Sequence, residues 1–400
     1  MIWWRDRPSL ASFIMDLIHA ELARMRPGQP LPPRPWTETL ELGEAGLGCD
    51  SLERLNLASA LGQALRLDRS GLEDHLLARS TVGAWVDLAE LCLERYDRSM
   101  VFLTSGSTGQ PKPCEHSLDT LRQEARVLAE LLTGRDRVVA AVSSRHIYGF
   151  LFTVLLPATL GVPVVRYLDK STIGLHDVLR SGDLVIGFPD FWNRASRSMV
   201  RFPADVTGVT STAPLPVHLD AALSEIGLAR LVEIYGSSET AGIGWREAPS
   251  PEFGLFPFWS RSADGETLLR SRPDGETAAH LPQDHLRWSA DRAFRPDGRR
   301  DQAFQVGGIN VHPRYVEAVL ARHPKIAAVG IRRMRPEEGD RVKAFIVPRD
   351  PDGDEAGLAR ELALWAQEHL SPAERPKAFR FGSAVPCDQH GKPTDWDIVP

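Results

Sequence analysis

The stretch SMVFLTSGSTGQPK, residues 99–112, decides the fold. Its first part, Ser99 to Leu103, is apolar and β-prone and predicts a strand. A turn of small residues follows: Thr104, Ser105, Gly106, Ser107, Thr108 and Gly109, with Lys112 just beyond. Small side chains leave backbone N–H groups and hydroxyls free to surround a polyphosphate, and the lysine adds a fixed positive charge. No G-K-[ST] closes the turn, so it is not a Walker A loop.

Downstream, the apolar runs VVAAVSS (138–144), VPVVRY (162–167), DLVIGF (183–188) and LVEIYG (231–236) alternate with helical segments at 118–132 and 218–227. That alternation predicts an α/β fold, a parallel sheet with helices on its faces. From about 299 the texture changes again, with strand-like VGGINV and KAFIVP and two helical stretches, a small α+β section. Upstream, Leu10, Phe13, Ile14, Leu17, Ile18 and Leu22 recur at helical spacing. Helical patterns also cover 46–68 and 81–96, so residues 1–97 read as a small all-helical unit. The predicted domains are 1–97, 98–298 and 299–400.

The composition bounds the function. Hydrophobic residues at 42% and charged residues at 25% exclude a wholly disordered chain. A net charge of −6 argues against general nucleic-acid binding, which runs on phosphate neutralisation. Cys49, Cys92, Cys114 and Cys387 are far apart and form no metal or disulfide signature. No secretion signal is read at the start, so a cytoplasmic protein with reduced thiols is expected. Residues 146–165, HIYGFLFTVLLPATLGVPVV, carry no charge over a length that could span a bilayer. Gly149, Pro157, Gly161 and Pro163 interrupt them, so a buried helix, a turn and a buried strand are predicted instead, and no membrane span.

Further motifs stand in order: HIYG (146–149), STAPL (211–215), YGSSET (235–240), SAD (289–291), GRRDQ (298–302) and Gly391-Lys392. Together with the turn at 103–112 they resemble the motif series of the adenylate-forming superfamily, the acyl-CoA synthetases, aryl-CoA ligases and adenylation domains. The resemblance covers about 98–400. It implies a ligase core with a mobile C-terminal domain, and a two-step reaction. A carboxylate attacks the α-phosphate of ATP to give acyl-AMP and pyrophosphate, and a pantetheine thiol then displaces AMP. The first step brings two anions together, so cations and oriented donors matter more than a base.

The resemblance implies roles residue by residue. Residues 104–109 and Lys112 would hold the phosphates, and Glu239 would hold Mg²⁺. Ala213 in the STAPL turn would meet the adenine, and Tyr235, Gly236 and Ser238 would line the same nucleotide site. Asp291 would accept from the ribose hydroxyls, and Arg299 would contact the nucleotide beside a hinge at Asp301. Lys392 would bridge carboxylate and phosphate. His146, with Tyr148, would face an acyl pocket suited to an aryl acid. The chain departs from the series at Gln305, where a basic residue bears on CoA contacts, and at Asp395, where a basic residue closes the lysine motif. The roughly 100–150 residues that precede the loop in such ligases are replaced by the helical unit.

Within that unit, LGCDSLERL (47–55) resembles the acyl-carrier signature, which implies phosphopantetheine on Ser51, added by a phosphopantetheinyl transferase. Asp50 to Glu53 equally reads as a helix capping box. The acceptor thiol is then Ser51-linked pantetheine, a separate acyl carrier protein, or free CoA. The alternative is a non-catalytic carrier-type interaction protein with a degenerate ligase body.

Overall fold

The computed structural model describes residues 2–104, 112–168, 171–307, 309–339, 341–387 and 394–398. Compactness divides the chain into two units. The first holds 1–104, 113–282 and 286–295; the second holds 105–112, 283–285 and 296–400.

The first unit opens with three helices, α1 (Arg7–Met25), α2 (Ser51–Leu65) and α3 (Val82–Arg95). Local chemistry starts each one. Pro8 sits in the first turn of α1, where its missing N–H costs nothing. Asp50 Oδ1 accepts from Glu53 N at 2.8 Å and Glu53 answers Asp50 N at 3.2 Å, a complete capping box on α2. Thr81 Oγ1 accepts from Ala84 N at the start of α3. The stripe of α1 predicted from its spacing is buried as expected, from Leu10 to Leu22.

Strands β1 (Ser99–Thr104) and β2 (Lys112–Ser117) pair as a two-stranded sheet and lead into α4 (Leu118–Leu131). The main sheet then begins with β3 (Arg137–Ala140). The uncharged segment becomes helix α5 (Ile147–Phe150), a π-helical turn at Leu151–Leu155 and helix α6 (Leu156–Leu160). Gly161 ends it at φ 72°, and β4 (Val164–Arg166) follows. This is the predicted helix, turn and strand, although β4 is only half-buried. No helix among the described residues is long and apolar enough to cross a membrane.

Helix α7 (Leu175–Val178), β5 (Asp183–Ile186), α8 (Pro189–Ser198), β6 (Thr207–Thr210), α9 (Val217–Glu225) and β7 (Arg230–Ser237) continue the alternation. Strands β4, β3, β5, β6 and β7 lie side by side and parallel. The sheet is not wholly parallel, as the alternation suggested. Beyond β7 it turns antiparallel through β8 (Ala241–Glu247) and β9 (Phe253–Leu255). After a small antiparallel sheet of β10 (Trp259–Arg261), β11 (Leu268–Ser271) and β12 (Thr277–His280), the hairpin β13 (Asp284–Ala290) and β14 (Ala293–Arg299) completes nine strands. The strands from 277 to 299 carry few core residues, Phe294 alone being fully buried there, so their sequence offers little apolar pattern to read.

The boundary expected at 97/98 has no counterpart in the packing. One continuous core runs from Trp3 and Phe13 through Leu57 and Trp85 to Phe150, Ile186 and Phe294. A domain with its own fold has its own core. The helices of 1–97 instead share that of the sheet.

The second unit carries the hairpin β15 (Phe304–Val306) and β16 (Ile309–Val311). Strands β17 (Ile326–Arg333), β18 (Val342–Pro348) and β19 (Pro376–Phe381) form a three-stranded sheet with β18 and β19 parallel. Helices α10 (Pro313–Leu320) and α11 (Glu355–His369) pack with this sheet around Val316, Ile331, Ala344 and Leu362.

Candidate active site

The parallel strands finish in register: Ala140 pairs with Ile186, Ile186 with Val209, and Val209 with Val232. The segments that follow these residues therefore leave one edge of the sheet together. Three carry motifs read from the sequence, HIYG after β3, STAPL after β6 and YGSSET at the end of β7. Ligands of open α/β sheets bind outside this carboxyl edge.

Cross-bonds tie the three together. Tyr148 Oη donates to Gly187 O at 2.9 Å and lies 3.3 Å from Val209 O, so its ring is buried and its hydroxyl spans β5 and β6. It is a strut of this edge, at the position where the resemblance implies a residue facing the acyl pocket. Ser211 Oγ donates to Ile234 O at 2.9 Å, joining the STAPL turn to β7. Two non-glycine residues adopt left-handed backbone here, Thr212 at φ 79° and Ala241 at φ 58°. Strain of that kind collects at functional sites, where the surroundings enforce it. Gly236 is required by the close approach of Ala241, whose carbonyl oxygen would lie 2.1 Å from any Cβ.

The YGSSET turn is held from below by residues that sequence reading missed. Ser237 Oγ accepts from Glu239 N and Thr240 N. His116 Nε2, on β2, lies 2.6 Å from Ser238 O and so carries the proton there. Burial lowers the His116 pKa, which fits a neutral donor. On α4, Glu124 is fully buried and accepts from Gly242 N at 2.9 Å. Arg270, on β11, meets Glu124 at 3.3 Å, donates to Thr120 O at 3.1 Å and stacks on Phe258 and Trp259. Burial pushes the Glu124 carboxyl up to about 7, against the pull of Arg270 and the Gly242 N–H. A signal was present: Glu124 stands within the apolar stripe Leu121, Ala125, Leu128 of α4.

His146 occupies the N-cap position of α5 without a side-chain cap bond, and it keeps solvent contact although surrounding protein desolvates its ring. That burial, with Arg145 beside it, pushes its imidazole down to about 4, so it is neutral at pH 7. Glu239 is half-exposed on its turn, and no other carboxylate, histidine or cysteine set that could cage a metal occurs among the described residues. A single carboxylate plus substrate phosphates is how Mg²⁺ is commonly held, so the donor set fits that ion. Ala213 is half-buried in its turn, and Asp291 is exposed in the turn between β13 and β14. Thr104 ends β1 and Lys112 opens β2, exposed. Ser105, Gly106, Ser107, Thr108 and Gly109, and the Gly391-Lys392 pair, lie outside the described residues.

In the second unit, Arg299 makes a two-pronged ion pair with Asp301, both bonds 2.8 Å. Burial opposes the Asp301 charge, but Arg299 and the Ala303 N–H outweigh it and lower the pKa. Asp395, the departure from the lysine motif, pairs at 2.9 Å with Lys343 on β18. Lys343 is wholly buried, meets Glu338 at 2.8 Å and donates to Trp396 O at 2.7 Å.

Ser51 is exposed at the first position of α2. Its neighbours are engaged structurally. Glu53 also binds Arg26, which donates to Leu47 O and Gly48 O and so fixes the segment before the helix.

Comparison with known proteins agrees with this layout. Residues 52–256 match the model of the AMP-binding enzyme family and residues 315–392 that of the AMP-binding enzyme C-terminal domain. A protein of Halorhodospira halophila named 4-coumarate--CoA ligase is 39% identical, over 95% of this chain and 96% of its own. Another of that name from Rhodobacter capsulatus is 38% identical, over 96% and 99%. The fold is similar to the Bacillus subtilis o-succinylbenzoate CoA synthetase (TM-score 0.61, 20% identity, 80% of this chain and 72% of that one). It is also similar to an amide bond synthetase of Marinactinospora thermotolerans (TM-score 0.60, 17% identity, 96% and 93%). Matched from Leu52 onward by one family model and near its end by the other, the chain belongs to the AMP-binding enzymes of the adenylate-forming superfamily, as an AMP-forming acid–thiol ligase.

Proposed function

We propose that this chain activates an aromatic carboxylic acid with ATP and transfers the acyl group to the thiol of CoA. The observation that carries the reading is the convergence of 146–149, 211–215 and 235–240 on one sheet edge, cross-bonded by Tyr148 and Ser211. The aromatic acid and the CoA acceptor are supported by the names of relatives that align over almost the whole chain.

In the first half, the acid's carboxylate oxygen bonds to the α-phosphorus and pyrophosphate leaves. In the second, the CoA sulfur bonds to the acyl carbon, AMP leaves, and the thiol proton passes to solvent. Glu239 would hold Mg²⁺, which offsets phosphate charge when bound. Ala213 and Tyr235 with Gly236 and Ser238 would receive the nucleotide base and sugar-phosphate, and Asp291 the ribose hydroxyls. The small-residue turn with Lys112 would hold the β- and γ-phosphates. Arg299 would contact the nucleotide, beside the hinge position Asp301. Lys392 would neutralise charge where the two anions meet, a task suited to a point charge on a long stem. Neutral His146 would border the acyl group without adding charge.

A second reading places the acceptor on Ser51, favoured by its exposed hydroxyl at a helix N-terminus. The shared core and the Arg26–Glu53–Asp50 knot favour a structural role for that region instead. One experiment separates them. The chain is treated with a phosphopantetheinyl transferase and CoA, then given ATP, Mg²⁺ and 4-coumarate, benzoate or octanoate. The expected products are AMP and a CoA thioester of an aromatic acid, with the protein's intact mass unchanged. A phosphopantetheine mass increment that acquires the acyl group would overturn the CoA reading. Absence of AMP with every acid would favour the interaction protein.

A further inference from the structure

We propose that Asp16 of α1 is a positioning residue for the acyl side of the site, so that the N-terminal helix sets acid recognition. The inference rests on the ligase reading, since it takes the HIYG segment as the acyl side. It gives residues outside the matched 52–256 segment a part in the reaction.

Asp16 is 2% exposed, on a largely apolar buried face of α1. Its Oδ2 accepts from both Ser144 N and Ser144 Oγ at 2.7 Å and pairs with Arg166 of β4. Its Oδ1 accepts from Arg34 at 2.7 Å. Ser144 lies two residues before His146. A second acid of the same helix, Glu21, nearly buried, reaches Arg145 at 3.9 Å. Asp16 thus grips the segment that enters HIYG directly, and Glu21, bonded to Arg24 at 2.8 Å, faces the next residue of that segment.

The grip is transmitted by rigid contacts. Gly149 lies so close to Ser143 that a Cβ would sit 1.8 Å from the Ser143 carbonyl oxygen. Moving 143–144 therefore moves the first turn of α5. Phe13 of α1 also meets Phe150 edge-on at 5.8 Å, and Trp3 does so at 5.0 Å. A carboxylate with four donors from three segments is a strict constraint, because each partner would be costly to leave unpaired in a buried place. Core packing alone does not need such a cluster at this position, since apolar residues replacing Asp16 together with its partners would fill it more cheaply.

The test uses the full chain with Asp16→Asn and, as a milder change, Ser144→Ala. Two readouts are taken: steady-state kinetics with 4-coumarate and ATP, and amide hydrogen exchange by mass spectrometry. In D16N the KM for the acid should rise about 10- to 100-fold, the scale on which small misplacements act, while the KM for ATP stays within about twofold. S144A should move the same parameter less. Exchange should rise at 143–150 and not in β5 to β7. Equal changes in both KM values, or exchange that rises evenly or not at all at 143–150, would overturn the positioning role even if folding survives. A selective rise at 143–150 in a chain whose wild type activates no acid would retain the grip and remove its acyl meaning.

Discussion

Replacing Lys392 by alanine should lower acid-dependent pyrophosphate release by about 10²–10³-fold, the usual loss when one oriented donor at a developing charge is removed. The step joins a carboxylate to a triphosphate, so the barrier is dominated by repulsion that a lysine ammonium offsets. The interaction is strongest where charge concentrates, so kcat and kcat/KM should fall together rather than KM alone rising. Arginine should not restore the rate, since its planar fork replaces a mobile point charge. The chain just beyond this lysine is fastened by Lys343 to Asp395 and to the Trp396 carbonyl, and Arg335 pairs with Asp397. Measurement of pyrophosphate release with and without acid checks this. A K392A chain within threefold of wild type would remove the lysine from the chemistry.

Arg270→Met should be the most damaging change to stability. Arg270 is 3% exposed and faces Glu124, which is wholly buried. Breaking a buried ion pair on one side leaves an uncompensated charge and costs about 3–5 kcal/mol. The pH dependence follows from the raised Glu124 pKa. Below about 4.5 the carboxyl is protonated in both folded and unfolded chains. Between 4.5 and its folded value of about 7, only the folded chain keeps the proton, so its contribution to stability falls as pH rises through that window. Without Arg270 the folded pKa moves higher still, and the loss extends further into the alkaline range. The variant should therefore be more strongly destabilised at pH 8 than at pH 5. Combining it with Glu124→Gln should recover part of the loss, the signature of a coupled pair. Urea denaturation at the two pH values decides. Equal losses at both, with no recovery in the double variant, would show that the pair is not the cause. Because Arg270 donates to Thr120 O and, at 3.4 Å, to Thr240 O, and Glu124 accepts from Gly242 N, activity should fall with stability.

Much of this architecture was legible. The parallel strands β3, β5 and β7 come from apolar runs that are largely buried, and such runs read plainly. Helix α2 announced its own start through Asp50 and Glu53. The last antiparallel strands, from 277 to 299, did not, because they bury almost no residue and so carry little apolar pattern. The carrier-like signature at 47–55 admits two readings for a physical reason. The same Asp-Ser-x-Glu spacing caps a helix, and only the tertiary packing of Trp3, Phe13 and Phe150 reveals that the helices share the core of the sheet. The motif loops were readable in order, but the groups that fix them were not. His116, Glu124, Arg270 and Asp16 act on backbone far away in sequence, so no local spacing exposes them. Only a charge inside an apolar stripe, as at Glu124, hinted at such work.

The exchange of labelled pyrophosphate into ATP, followed with and without an aromatic acid, bears most directly on adenylate formation at this sheet edge. The account predicts exchange that depends on both Mg²⁺ and the acid, needs no CoA, and yields AMP once CoA is added. ATP bound and turned over to ADP, with no exchange for any acid, would contradict it.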